Sequence, residues 1–160
     1  MEIQTTDYPG TVKNQKEALE LLIKEIPNFS YEESQSLDFE GKDQWQYQGD
    51  LKRAYFCRVL AARSFERIGK NSSYEEEIKR LKEAAFSYDK AAKNARDIKF
   101  PMAALRCRIR ACKIFNKLYN LTEDESYLQA LEWATEHIET IAKKCSYEKL
   151  MIDLDTKIIE

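Results

Sequence analysis

The sequence predicts an all-α fold, with antiparallel helix hairpins stacked into a short α-α superhelix of six to seven helices. Three observations carry this. Apolar residues recur at three- and four-residue spacing through most of the 160-residue chain. Only 4 Gly and 3 Pro are present, too few for the turns of a β-sandwich or barrel. One helix–loop–helix pattern is also written twice, about fifty residues apart. Hydrophobic residues at 43% and charged residues at 34% suit a folded chain, and the length suits a single domain over 1–160 with a sizeable core.

Residues 1–10, "MEIQTTDYPG", are expected to be loose and end at Pro9-Gly10. They are acidic and polar, unlike a secretory signal. A helix over about 12–26 follows, with Ala18, Leu22, Ile23 and Ile26 on one face and Pro27 as the stop. Ser30 and Glu33 have the spacing of a capping box, which starts a short helix near 30–39 that ends near Gly41. A long helix is predicted over 43–69, with Gly49-Asp50 as a break or new cap inside it and Gly69 at its end. The next spans 73–98, with a capping box from Ser72 or Ser73 to Glu75 or Glu76 and an apolar stripe through Tyr74, Ile78, Leu81, Ala85, Tyr88, Ala92 and Ala95. Pro101 opens a helix over 101–120, at the position where its missing N–H costs nothing. A box from Thr122 to Glu125 begins a helix over 123–144, and "SYEKLMIDLDTKIIE" predicts a last helix over 147–158.

The repeat is visible as matched pairs. At a shift of fifty, Ala54, Cys57, Arg58, Ala61 and Phe65 fall on Ala104, Cys107, Arg108, Ala111 and Phe115. At a shift of fifty-three, Tyr74, Ile78, Leu81 and Ala85 fall on Tyr127, Leu131, Ala134 and Ile138. The three extra residues fit in the loop "YNLTEDES", where an insertion costs little. The units, about 43–98 and 101–145, are helix hairpins that complete a core by stacking. Small residues let the helix axes approach closely, and Phe65 and Phe115 are expected to be buried.

The stretch "ACKIFNKLYNLTEDESYLQALEWA" resembles a tetratricopeptide repeat. Ala111, Cys112 and Phe115 stand at positions that the family pattern fills with a large, a small and a Tyr residue. Tyr127, Ala130, Leu131 and Trp133 resemble its Tyr-x-x-Ala-hydrophobic-x-aromatic run. In the upstream unit Phe65, Gly69 and Tyr74 match, while Glu77 takes a position meant for a small residue. Both units are longer than the usual repeat and lack its terminal Pro. The resemblance covers roughly 50–145. It implies a TPR-like stack in which the first helix of each hairpin lines a concave groove, and a function in protein–protein interaction.

Charge is segregated along the chain. Residues 50–70 carry a net +4 and residues 101–120 a net +5, in a protein of overall charge −2. Arg106, Arg110, Lys113 and Lys117 follow i, i+4, i+7, i+11 and form one stripe. If the first helices line the groove, the groove is basic. It then suits an acidic peptide, a C-terminal carboxylate or a phosphate-bearing ligand. The alternative is that these cations pair with the acidic runs "YEEE" and "TEDE" and with Glu132, Glu136 and Glu139, or are solvated. The expected charge contacts are Arg58, Arg63, Arg106, Arg110, Lys113 and Lys117, with Tyr55 and Phe56 as apolar contacts. Arg58 and Arg108 face away from the Arg106 stripe, so one of the two sets is expected to be structural.

The expected function is a cytoplasmic adaptor or scaffold that binds another protein, without catalysis of its own. An RNA-binding or other anion-binding helical module is the alternative. The pI near 5.7 and the lack of a nucleic-acid motif make nucleic acid the weaker partner. No apolar run reaches the ~20 residues of a membrane span. No phosphate loop or nucleophile elbow is present. Cys57, Cys107, Cys112 and Cys145 fit small helix-buried thiols better than ligands, since Cys107 and Cys112 diverge by about 140° around a helix. His137 has no partner at metal-ligand spacing, and no metal or cofactor is expected.

Overall fold

A computed structural model describes residues 10–145, with side chains as far as residue 140. The expected loose residues 1–9 and the expected helix over 147–158 lie outside the described residues. Within them the chain is all-α, without a strand: α1 (Gln15–Glu20), α2 (Tyr31–Asp43), α3 (Leu51–Lys70), α4 (Tyr74–Asp97), α5 (Pro101–Thr122) and α6 (Glu125–Cys145). From α2 to α6 each helix packs on the next, and α1 packs against α5.

The boundaries follow from local chemistry. Ser30 and Glu33 form the expected capping box, the Ser30 hydroxyl accepting from the Glu33 amide and the Glu33 carboxylate from the Ser30 amide. α2 ends at Asp43, near Gly41 as expected, and Gly41 itself lies buried within the helix, where an added Cβ would stand 2.9 Å from the Arg58 Cγ. The helix expected over 43–69 is two elements. Residues Gln44–Gln48 finish α2 as a π turn, Gly49 turns left-handed at φ 74°, and the Asp50 carboxylate accepts from the Arg53 amide to start α3.

The two later capping boxes do not form. Ser72 donates back to the Ile68 carbonyl, and Ser73 caps α4 without a side-chain bond. Thr122 is the last residue of α5, and Asp124 supplies the turn into α6 by accepting from the Ser126 amide. The Asp124 carboxyl is held below its ordinary range by that hydrogen bond.

The stack has an alanine seam. Ala84, Ala85, Ala91, Ala92 and Ala95 of α4 are buried between α3 and α5, whose Ala54, Cys57, Ala61, Ala104, Cys107 and Ala111 are buried as well. The small side chains allow backbone approach on both sides of α4. Phe65 and Phe115 are buried as expected. Phe65 meets Tyr31 of α2 at 5.9 Å between ring centroids, and Phe115 meets Phe86 of α4 edge-on at 6.4 Å. The same pairing recurs in charge. Arg58 of α3 donates to Asp38 of α2 at 2.7 Å, and Arg108 of α5 donates to Asp89 of α4. Ser87 of α4 also donates to Asp38 at 2.8 Å, so this one carboxylate ties three helices together.

Candidate functional site

The face of α3 and α5 expected to hold a partner peptide already carries a peptide, the chain's own residues 10–27. This segment runs alongside α3 in the same direction. Arg53 donates to the Gly10 carbonyl and Lys52 to that of Lys13, at 3.0 and 3.2 Å. The Tyr55 hydroxyl donates to the Ala18 carbonyl at 2.7 Å, and Arg63 to that of Leu21 at 2.8 Å. Arg67 donates to the carbonyls of Ile26 and Pro27. On the other side the Met102 amide at the start of α5 donates to the Gln15 side chain. α1 stops at Glu20 instead of running to 26. A longer helix would pair the Leu21 carbonyl with the Glu25 amide, and Arg63 takes that carbonyl instead.

Magnitudes decide whether this segment is a removable strap. Val12, Leu21 and Leu22 of this segment are buried with Ala18 in the main core. At about 1.5–3 kcal/mol for each large apolar side chain, exposing these three costs roughly 4.5–9 kcal/mol, a large share of a whole domain's stability. The segment is therefore part of the fold.

What stays open is the far end of this face, beyond α1. A cleft of about 550 Å³ lies there between residues 22–26, the C-terminal half of α3 and the middle of α5. Its lining holds five cations, Arg63, Arg67, Lys70, Arg110 and Lys113, against one carboxylate, Glu66. Glu66 accepts from the buried Tyr88 hydroxyl at 2.9 Å, and Tyr88 in turn accepts from Arg110 at 3.3 Å. Burial, with Glu66 beside it, pushes the Tyr88 phenol well above its ordinary value, so it stays protonated and donating.

Burial lowers the pKa of Arg63, and the nearby charges of Arg110 and Arg67 add to that. Burial acts the same way on Arg110 but is outweighed by Tyr88 and Glu66, which raise its pKa. Both guanidiniums remain charged at neutral pH. Their protein acceptors here are a carbonyl and a phenol, so hydrogen bonds fix the side chains in place while the positive charge persists.

The expected contact residues divide accordingly. Arg63, Arg110 and Lys113 come together in the cleft. Tyr55 and Phe56 are corrections, because Tyr55 is fully buried and Phe56 is 2% exposed and turned away from this cleft, against residues 11–24. Arg58 is a correction too. It is 4% exposed and spent on Asp38, so of the two Arg sets the Arg58 and Arg108 pair is the structural one. Lys117 pairs with Glu77 of the "YEEE" run at 3.4 Å, and Arg106 lies outside the cleft lining.

Arg67, Lys70, Glu66 and Tyr88 were not expected as site residues. Arg63, Arg67 and Lys70 do follow i, i+4, i+7 on α3, a stripe parallel to the one on α5. That spacing was the available signal. Tyr88 reads in the sequence only as a core position.

Other chemistries find little support. Among the described residues no group of three His, Cys, Asp or Glu side chains gathers as a metal site, and no helix is long and apolar enough to cross a membrane. Burial pushes the Cys57 and Cys107 thiols up to about 12, which removes them as nucleophiles. His137 stacks on Trp133 at 3.9 Å, with its Nδ1 against the Trp133 carbonyl one turn back. Comparison of the chain with protein-family models, curated proteins and solved structures gives no match.

Proposed function

We propose that the protein is a TPR-like helical adaptor that binds an acidic segment of another protein in the cationic cleft between α3 and α5, acts in the cytoplasm and carries out no catalysis of its own. The observation behind this reading is the ratio of five cations to one carboxylate around a single open cleft, in a chain whose overall charge is −2. A rigid helical frame with pre-positioned guanidiniums suits recognition of carboxylates, because the forks lose little entropy on binding. Ile23 is 68% exposed and, with Leu22 and Ile26, gives the cleft one apolar wall for a neighbouring side chain of the partner. The full length of the groove is not available, since residues 10–27 fill it. The partner therefore inserts a short stretch or a chain end rather than lying across both hairpins.

The test is a binding titration with Asp/Glu-rich peptides, with free and amidated C-termini, against the parent and Arg110→Glu/Lys113→Glu proteins. Affinity for the parent should fall as salt rises, and the folded double mutant should bind at least tenfold more weakly. Unchanged affinity removes the cleft from the account. Preference for single-stranded RNA over every peptide favours the nucleic-acid alternative instead.

A further inference from the structure

We infer that the cleft is a phosphate site, and that its occupant is a phosphorylated residue within the partner's acidic segment. This rests on the adaptor reading above and names the chemistry that the cleft selects.

The first reason is charge. Arg63, Arg67, Lys70, Arg110 and Lys113 line one cleft, with Glu66 as the one carboxylate in that lining. One carboxylate brings a single negative charge. A phosphomonoester brings about −1.5 to −2 at neutral pH, with three strong acceptor oxygens for donors arriving from several directions.

The second reason is the arrangement of donors. Arg63 and Arg67 enter from α3, each anchored to a main-chain carbonyl of residues 21–27. Arg110 enters from α5, anchored to the buried Tyr88 hydroxyl. A planar carboxylate meets one guanidinium fork well. A tetrahedral group can accept from forks on two helices together. Glu66 accepts from Tyr88 through one oxygen, and with its charge counted the cleft lining still carries a net +4 from five cations and one carboxylate.

The third reason is the crowding of like charge. Arg110 and Arg67 disfavour the charged form of the partly buried Arg63, against the opposing effect of Tyr88 and Glu66. A dianion bound beside them adds to that compensation, and a ligand that binds the folded protein raises its stability.

The full chain is titrated with matched peptide libraries of Asp/Glu-rich decamers carrying phosphoserine, Ser or Glu at the centre. Inorganic pyrophosphate serves as the minimal probe, and succinate at equal ionic strength as the carboxylate control. The phosphoserine library should bind at least tenfold more tightly than the Glu library. Pyrophosphate should compete and raise the melting temperature, while succinate does neither. Arg110→Gln/Lys113→Gln should level the two libraries and abolish the pyrophosphate shift. Should that variant fail to fold, the exposed Lys70→Gln is expected to cut the preference at least threefold.

Equal affinity for the phosphoserine and Glu libraries, both lost in the variant, overturns the phosphate inference and leaves the adaptor reading standing. No binding of any peptide overturns both. A phosphoserine preference that survives Arg110→Gln/Lys113→Gln, or Lys70→Gln, also overturns the inference, because the phosphate then sits elsewhere.

Discussion

Removing the Asp38 carboxylate should expose the energetics of the stack most directly. Arg58 is 4% exposed, and its aliphatic part rests on Gly41, with no room for a Cβ there. Its guanidinium donates to Asp38 at 2.7 Å, and Ser87 donates to the same oxygen at 2.8 Å. Asp38→Ala therefore leaves a buried cation without its counter-ion and a buried hydroxyl without its acceptor. Breaking a buried pair from one side costs about 3–5 kcal/mol. The Asp38 side chain is 30% exposed, so water reaches that end of the pair and the lower part of the range applies, about 3 kcal/mol. For a domain of this size that corresponds to a melting temperature roughly 6–12 °C lower.

The informative companion is Asp38→Leu/Arg58→Met, which removes both charges and keeps the volume. It should recover most of the loss, because a buried pair replaced by apolar residues is often neutral. Urea unfolding followed by circular dichroism at 222 nm would give both values. If Asp38→Ala melts within about a degree of the parent, the carboxylate does not hold the three helices. If the double variant is as unstable as the single one, the loss comes from packing and not from an orphaned charge.

Phe65→Ala and Phe115→Ala should each cost about 3–5 kcal/mol in the same unfolding assay, since each ring fills core space against an aromatic of the preceding helix. A change under 1 kcal/mol at either would contradict the packing described. Cys57 and Cys107 should resist iodoacetamide at pH 8 in the native protein and react fully in urea, as peptide mass spectrometry would show, because burial holds both thiols up to about 12. Rapid native labelling of either would mean that the α3–α5 seam opens. Asp124, with a folded pKa below its unfolded one, adds stability above the unfolded value and loses it as pH falls through the folded value. Asp124→Asn should therefore flatten the acid limb of the stability–pH curve below about pH 4 and leave its neutral shape unaltered; an acid limb unchanged by the substitution would count against the turn described at the start of α6.

Among the described residues the order of the helices from α2 to α6 was legible in the sequence because its causes are local. Apolar spacing marks one face of a helix, Ser30 and Glu33 reach each other within one turn, and Pro101 suits only a first turn. The burial of Phe65 and Phe115 followed from the same periodicity. Tertiary structure decided what the basic helices touch. A cation stripe looks the same whether it meets a carboxylate, a carbonyl or water, and that outcome depends on residues far away in sequence. Arg58 met Asp38, 20 positions back, while Arg63 met the Leu21 carbonyl, 42 positions back. No spacing rule predicts that residues 10–27 would lie along α3 and bury Tyr55, because the contacts are made largely by main-chain carbonyls, which every sequence carries. Beyond this segment the face keeps a cleft lined by Arg63, Arg67, Lys70, Arg110 and Lys113.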